Sequence, residues 1–295
     1  MCADCSRVVV FTGPSLHPRA AAALLNATIL PPIKRGDLEP LLTSKPAAVG
    51  IIDGEFYQSL AVSPKEVLAL LETGVAVYGA ASMGALRAVE LGRYGMIGVG
   101  SVFRLFRRGV LDSDDEVAVT YCKETWRPLS EPLVNTRYAL RAAVRKGILT
   151  GMEAARIISN LRPVYFPDRT RELALRLARD VAGADRALAL RNFLATEAPN
   201  IKERDAKLLL QRIRQDFCYD ARDGGKQACH RRLESPPSPG MDNRPESPDG
   251  AVGCGVRSPS ANSVGTSGLS RASRLTPAAV RITKPIGEAD GTKPI

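Results

Sequence analysis

Three short runs constrain this fold more than any other feature: Val8-Val-Val-Phe11, Ala47-Ala-Val-Gly-Ile-Ile52 and Val75-Ala-Val-Tyr78 carry no polar side-chain group but the Tyr78 hydroxyl. A strand with one wet face alternates apolar and polar residues, whereas a strand apolar throughout is covered on both faces. Parallel sheets flanked by helices bury their strands in that way. Each run stops at turn-forming residues, Thr12-Gly-Pro-Ser15, Asp53-Gly54 and Gly79. Helix signals lie between them. Pro18 opens an alanine-rich helix, Arg19 to Leu25, because proline is tolerated at a first helical position. Ser63-Pro64-Lys65-Glu66 has the form of a capping box and starts a helix running to about Glu72. A further helix spans about Met83 to Leu91, Thr28-Ile29-Leu30 reads as a short strand, and Asp37 caps a helical turn through Leu42. This alternation predicts an α/β fold with a doubly wound, mostly parallel sheet.

Beyond the sheet the pattern changes. Gly92 to Gly109 is dense in glycine, and Asp112-Ser-Asp-Asp-Glu116 places acidic residues where they complement the start of a helix over Val117 to Tyr121. From Leu133 the apolar period becomes helical, with Leu140 and Val144, then Leu173, Leu177 and Val181, then Leu209, Ile213 and Phe217 on faces of a helical layer. After Cys218, Pro, Ser and Gly supply 28 of 77 residues, a composition that cannot build a core. The expected organisation is an α/β core over 1–125, a helical region over 126–218 and a disordered tail over 219–295.

The net charge of +10 divides into +3 for the tail, from 11 basic and 8 acidic residues, and +7 for the rest. Arginines recur from Arg137 and Arg141 to Arg212 and Arg214. They read either as solvated helix faces or as a docking face for an acidic partner. Aromatics make up 5% of the chain and do not interleave with the arginines, so an acidic protein is favoured over nucleic acid. No window approaches the ~18–20 apolar residues of a membrane span, and the N-terminus lacks a signal-peptide pattern. A cytoplasmic protein is expected, with its six cysteines as free thiols. Cys2-x-x-Cys5 has no second close pair to complete a zinc site, so no metal is expected. Without a phosphate-binding loop or dinucleotide fingerprint, no cofactor is expected either.

Ligands of doubly wound sheets bind at the carboxyl ends of the strands, where Thr12–Ser15, Asp53-Gly54-Glu55 and Gly79-Ala-Ala-Ser82-Met-Gly84 all fall. Ser82 sits where a strand turns sharply into a helix and half-matches the Gly-x-Ser-x-Gly elbow. Three roles are open to it: helix cap, anion binder with the Met83 N–H, or nucleophile. A nucleophile needs a base, and His17 follows the first strand, so a Ser82, His17 and Asp53 grouping is conceivable. Arg87 and Glu90 are three apart on one helix face, either pairing with each other or leaving Arg87 as an anion clamp.

Taken together, Val9-Val-Phe-Thr-Gly-Pro-Ser-Leu16, Gly50-Ile-Ile-Asp-Gly54, Gly79-Ala-Ala-Ser-Met-Gly-Ala-Leu-Arg-Ala-Val-Glu-Leu91 and Asp114-Asp-Glu-Val-Ala118 resemble the TfuA-like core domain, over about Val8 to Tyr121. The resemblance implies a companion of YcaO enzymes, which use ATP to activate backbone amides of ribosomally made peptides. In thioamide-forming systems such a companion helps supply sulfur from a thiocarboxylated ThiS-like carrier, or activates the YcaO protein. It also implies Ser82 and Asp53 as catalytic candidates and Gly13, Ser15, Gly54, Gly84, Arg87 and Glu90 as binding candidates, with Pro14, Asp115 and Glu116 matching the pattern. Family members often carry a histidine where this chain has Pro64, a departure that weakens any histidine-dependent mechanism. The other readings are a catalytically silent scaffold that binds YcaO and an independent serine hydrolase.

Overall fold

The computed structural model describes residues 7–56 and 60–217. The tail expected over 219–295 lies outside them, as do Cys2 and Cys5. The apolar runs form strands, in chain order β1 (Val8–Phe11), β2 (Thr28–Leu30), β3 (Ala48–Ile51) and β4 (Ala76–Gly79), followed by a two-residue β5 (Ile97–Gly98). All pairings are parallel, and the order across the sheet is β2-β1-β3-β4-β5. The chain moves from β1 to one side and then resumes on the other side at β3. The topological switch therefore lies between the carboxyl ends of β1 and β3, where sheets of this kind open a crevice.

Alternate residues of each strand feed two cores, which is why the runs are apolar throughout. Val9, Phe11, Val49, Ile51 and Val77 pack with α2 (Glu39–Ser44), α3 (Pro64–Glu72) and α4 (Met83–Leu91). Val8, Val10, Ala48 and Tyr78 pack instead with α1 (Pro18–Leu24) and a helix from the far end of the described chain, α10 (Ile201–Phe217). The Ser63–Glu66 capping box forms as expected. Asp37, by contrast, spends its carboxylate on the Lys34 N–H at 2.9 Å, and the helix begins at Glu39.

The glycine-dense segment hides β5 and α5 (Gly100–Arg107). Four helices, α6 (Leu133–Arg145), α7 (Gly151–Leu161), α8 (Arg171–Ala182) and α9 (Ala184–Thr196), share a separate core around Leu140, Ile157, Leu190 and Phe193. α10 does not join that layer. Its Leu209 and Ile213 lie over the sheet so closely that a Cβ on Gly50 would come within 3.0 Å and 2.9 Å of them. Burying each of these side chains contributes ~1.5–3 kcal/mol.

The acidic stretch corrects a second expectation. Residues 117–121 form no helix; a 3-10 turn, Asp114–Glu116, precedes an extended segment in which Tyr121 bridges Pro128. The carboxylates meet arginines instead: Asp112 meets Arg162 at 2.8 Å, Glu116 meets Arg137 at 2.6 Å, and Asp115 pairs with the buried Arg169. Several arginines that sequence alone reads as solvated helix faces or as a docking face are thus paired within the chain. Arg141, Arg156, Arg176 and Arg191 are exposed and have no carboxylate partner among the described residues. No helix among the described residues is long and apolar enough to cross a membrane.

Candidate functional site

Asp53 follows β3 at the switch point, and it is 1% exposed. Its Oδ2 accepts from the Gly13 and Ser15 backbone N–H groups, both at 2.9 Å, and its Oδ1 accepts from Ser15 Oγ at 2.5 Å. The carboxylate therefore clamps the loop after β1, whose far side is fixed by Thr12 Oγ1 donating to the Leu16 carbonyl at 2.7 Å. Gly13 is needed here because a Cβ would stand 2.6 Å from Pro32 and 3.2 Å from the Trp126 ring. His17 takes no part. Exposed to solvent, its Nδ1 accepts from Arg19 N at 3.1 Å as the cap of α1, so the Ser82, His17 and Asp53 grouping does not form.

Between β4 and α4 the chain turns within three residues. The Ser82 N–H donates to the Ala80 carbonyl at 2.7 Å around Ala81, whose φ is +64°, the geometry of a γ-turn in its strained, positive-φ form. Such conformations cost ~1–3 kcal/mol and persist where the surroundings enforce them. Here the enforcement is a near contact of backbones: a Cβ on Gly84 would lie 1.8 Å from the Ile51 carbonyl oxygen, and one on Gly79 would lie 2.1 Å from that of Gly84. Gly84 thus lets α4 rest on the sheet ends. Ser82 makes no side-chain cap; its Oγ donates to the Val117 carbonyl at 3.4 Å.

The same carbonyl receives a second donor, Lys202 Nζ, at 2.7 Å. Lys202 sits at the start of α10 and is 2% exposed. Burial depresses its ammonium from the usual range to about 8, against the opposing attraction of Asp53. Sequence reading passed over this residue. The signal was present, because Lys202 and Asp205 share the helix face of Ala206, Leu209 and Ile213 and so fall on the buried stripe.

Pro14, Asp53, Gly54, Glu55, Ser82, Val119, Thr120, Tyr121 and Phe166 surround a cavity of about 20 Å³, room for about one water molecule. Thus the three turns after β1, β3 and β4 converge, and the segment after the acidic stretch closes them over. Tyr121 stacks on Trp126 with ring centroids 5.9 Å apart. Burial, reinforced by Glu55 and Asp53, raises its phenol to about 12, so it remains a hydrogen-bond donor at neutral pH. Glu55 lies 3.6 Å from Lys123. Arg87 and Glu90 do not line the cavity: Arg87 donates to the Val62 carbonyl at 2.9 Å and pairs with Glu90 at 2.7 Å.

Residues 53–170 match the family model described as TfuA-like protein. The match starts later than the motifs read from sequence and runs further, through α6 and α7 as far as Thr170, taking in the arginine partners of the acidic stretch. No curated protein matches the chain.

Proposed function

We propose that this chain, whose residues 53–170 match the TfuA-like family model, is an accessory protein for YcaO-dependent thioamidation of ribosomally made peptides, helping to deliver sulfur from a carrier thiocarboxylate. One observation carries the reading: Ser82, on a strained turn, and a buried lysine meet at one carbonyl beside a water-sized cavity at the switch point. A cavity of that size has no room for a nucleotide, and a slender carrier terminus reaches Ser82 only if the segment around Tyr121 moves aside. Asp53 keeps the loop after β1 in place, while ATP chemistry belongs to the YcaO partner. The test is sulfide release from a thiocarboxylated ThiS-like carrier by the full-length protein. Ser82→Ala and Asp53→Ala are expected to lose it; undiminished release by both removes this site from the reaction.

A second reading, a catalytically silent scaffold that binds YcaO, is favoured by one further feature. A cavity of about 520 Å³ opens between the end of α5, α6 and α7, with Leu105, Leu111, Val134 and Ile158 on its walls. Arg137, Arg141 and Arg162 also line it, and no carboxylate does. If this surface binds YcaO, Arg141→Glu weakens the complex while Ser82→Ala leaves it intact. The reverse pattern counts against the scaffold.

A further inference from the structure

We propose that Lys202 is the proton acceptor for Ser82, the two side chains forming a serine–lysine dyad bridged by the carbonyl oxygen of Val117. The inference takes its substrate class from the function proposed above, while the dyad itself rests on this geometry alone. Ser82 Oγ and Lys202 Nζ both reach the Val117 oxygen, at 3.4 Å and 2.7 Å, and both residues are 2% exposed. The contact at 3.4 Å is too long to hold a hydroxyl firmly, and the proposal requires Oγ to turn from that carbonyl toward Nζ.

A buried lysine with a single backbone acceptor is an expensive way to fill space, since Met or Leu fills the same volume without desolvating an ammonium. Its surroundings are arranged to keep it neutral part of the time. The charged group acting on it is Asp53, whose two oxygens are already committed to Gly13 and Ser15. Glu116, next to Val117, is held by Arg137, and Asp205, on the same helix as Lys202, accepts from the Val102 N–H at 2.7 Å. From α6, Asn135 accepts from the Lys202 backbone N–H at 3.2 Å and is uncharged. No carboxylate therefore lies within ion-pairing distance of Nζ among the described residues. Unpaired burial pushes a lysine toward the pH at which it serves as a base.

The chemistry balances without a cofactor. Neutral Lys202 Nζ takes the proton of Ser82 Oγ as Oγ bonds to the thiocarboxylate carbon. The C–S bond then breaks, and the sulfur leaves as hydrosulfide with that proton. Water next attacks the acyl carbon and gives one proton to Nζ, which passes it to Oγ as the C–O bond to Ser82 breaks. The product is the carrier carboxylate, with one proton released to solvent.

The test needs no carrier. The full-length protein is treated with a small fluorophosphonate, and modification of Ser82 is followed by peptide mass spectrometry from pH 6 to 10. The wild type is expected to label faster as pH rises, levelling above about pH 8. Lys202→Met and Lys202→Arg are expected to label ~100-fold more slowly, without that inflection. Labelling of either folded variant at the wild-type rate overturns the dyad. So does a wild-type profile with no inflection, or a wild type that does not label at Ser82, whether or not the variants fold. If labelling behaves as expected and the carrier releases no sulfide, the dyad stands and the proposed substrate falls.

Discussion

Arg137 on α6 grips Glu116 with both Nε and Nη2, at 3.0 Å and 2.6 Å, while the Glu116 side chain is only 2% exposed. This bond joins the helical layer to the segment that ends at Val117 and therefore sets where the acceptor of Ser82 and Lys202 sits. Removing the arginine strands a buried carboxylate, so Arg137→Ala is expected to cost ~3 kcal/mol and lower the melting temperature by about 6–12 °C. Arg171→Ala, which breaks an exposed pair with Glu131, is expected to cost less than ~1 kcal/mol. Thermal denaturation of the two variants measures the difference.

Trp126 is the single tryptophan of the chain and packs on both Gly13 and Tyr121, so its fluorescence reports the cavity rim. Asp53→Ala leaves the Gly13 and Ser15 N–H groups without their acceptor and is expected to release the loop after β1. The expected readout is a red shift of Trp126 emission with a stability loss of ~2–4 kcal/mol. Unchanged emission would mean that Asp53 does not organise the loop.

Gly84→Ala would drive a Cβ to within 1.8 Å of the Ile51 oxygen and is expected to leave little folded protein. Gly92→Ala serves as its control. Gly92 has a φ of −56° and nothing within 4 Å of its virtual Cβ, so alanine there is expected to be neutral or stabilising by ~0.4–1 kcal/mol. Expression level and melting temperature separate the two.

Lys202 also makes a prediction about alkaline stability. Its folded value, about 8, lies below its ordinary value of 10.5, so between these limits the unfolded chain binds more protons than the folded one. Stability attributable to this residue therefore rises with pH across that window, by on the order of 3 kcal/mol. Urea unfolding at pH 7 and pH 10.5 is expected to show the wild type gaining on Lys202→Met by about that amount. Tyr121, whose phenol is raised, loses stability for both proteins above its ordinary value and cancels in the comparison. A constant gap between wild type and variant would mean that Lys202 is solvated.

The sheet was legible because three apolar strands and three capped or glycine-bounded helices announce themselves locally. β5 and α5 were not, since Gly98 there makes room for the Phe103 ring and Gly100 for the remote Asp205 carboxylate, and neither follows a local period. The convergence of Pro14, Asp53 and Ser82 followed from the strand-end rule alone. What remained hidden was contributed by residues remote in sequence: Lys202 arrives on a helix that returns from the far end of the described chain, and Tyr121 arrives on a segment whose acidic prelude looked like a helix start. Arg87 and Glu90 share a motif with Ser82 yet satisfy each other outside the cavity.

The most direct test of the account mixes the full-length protein with thiocarboxylated carrier, quenches the reaction within its first turnovers, and weighs the peptide bearing Ser82. A carrier acyl group on Ser82 is expected to accumulate as sulfide appears and to be absent from Ser82→Ala. Sulfide appearing at the wild-type rate from Ser82→Ala, with no adduct on the wild type, would contradict it.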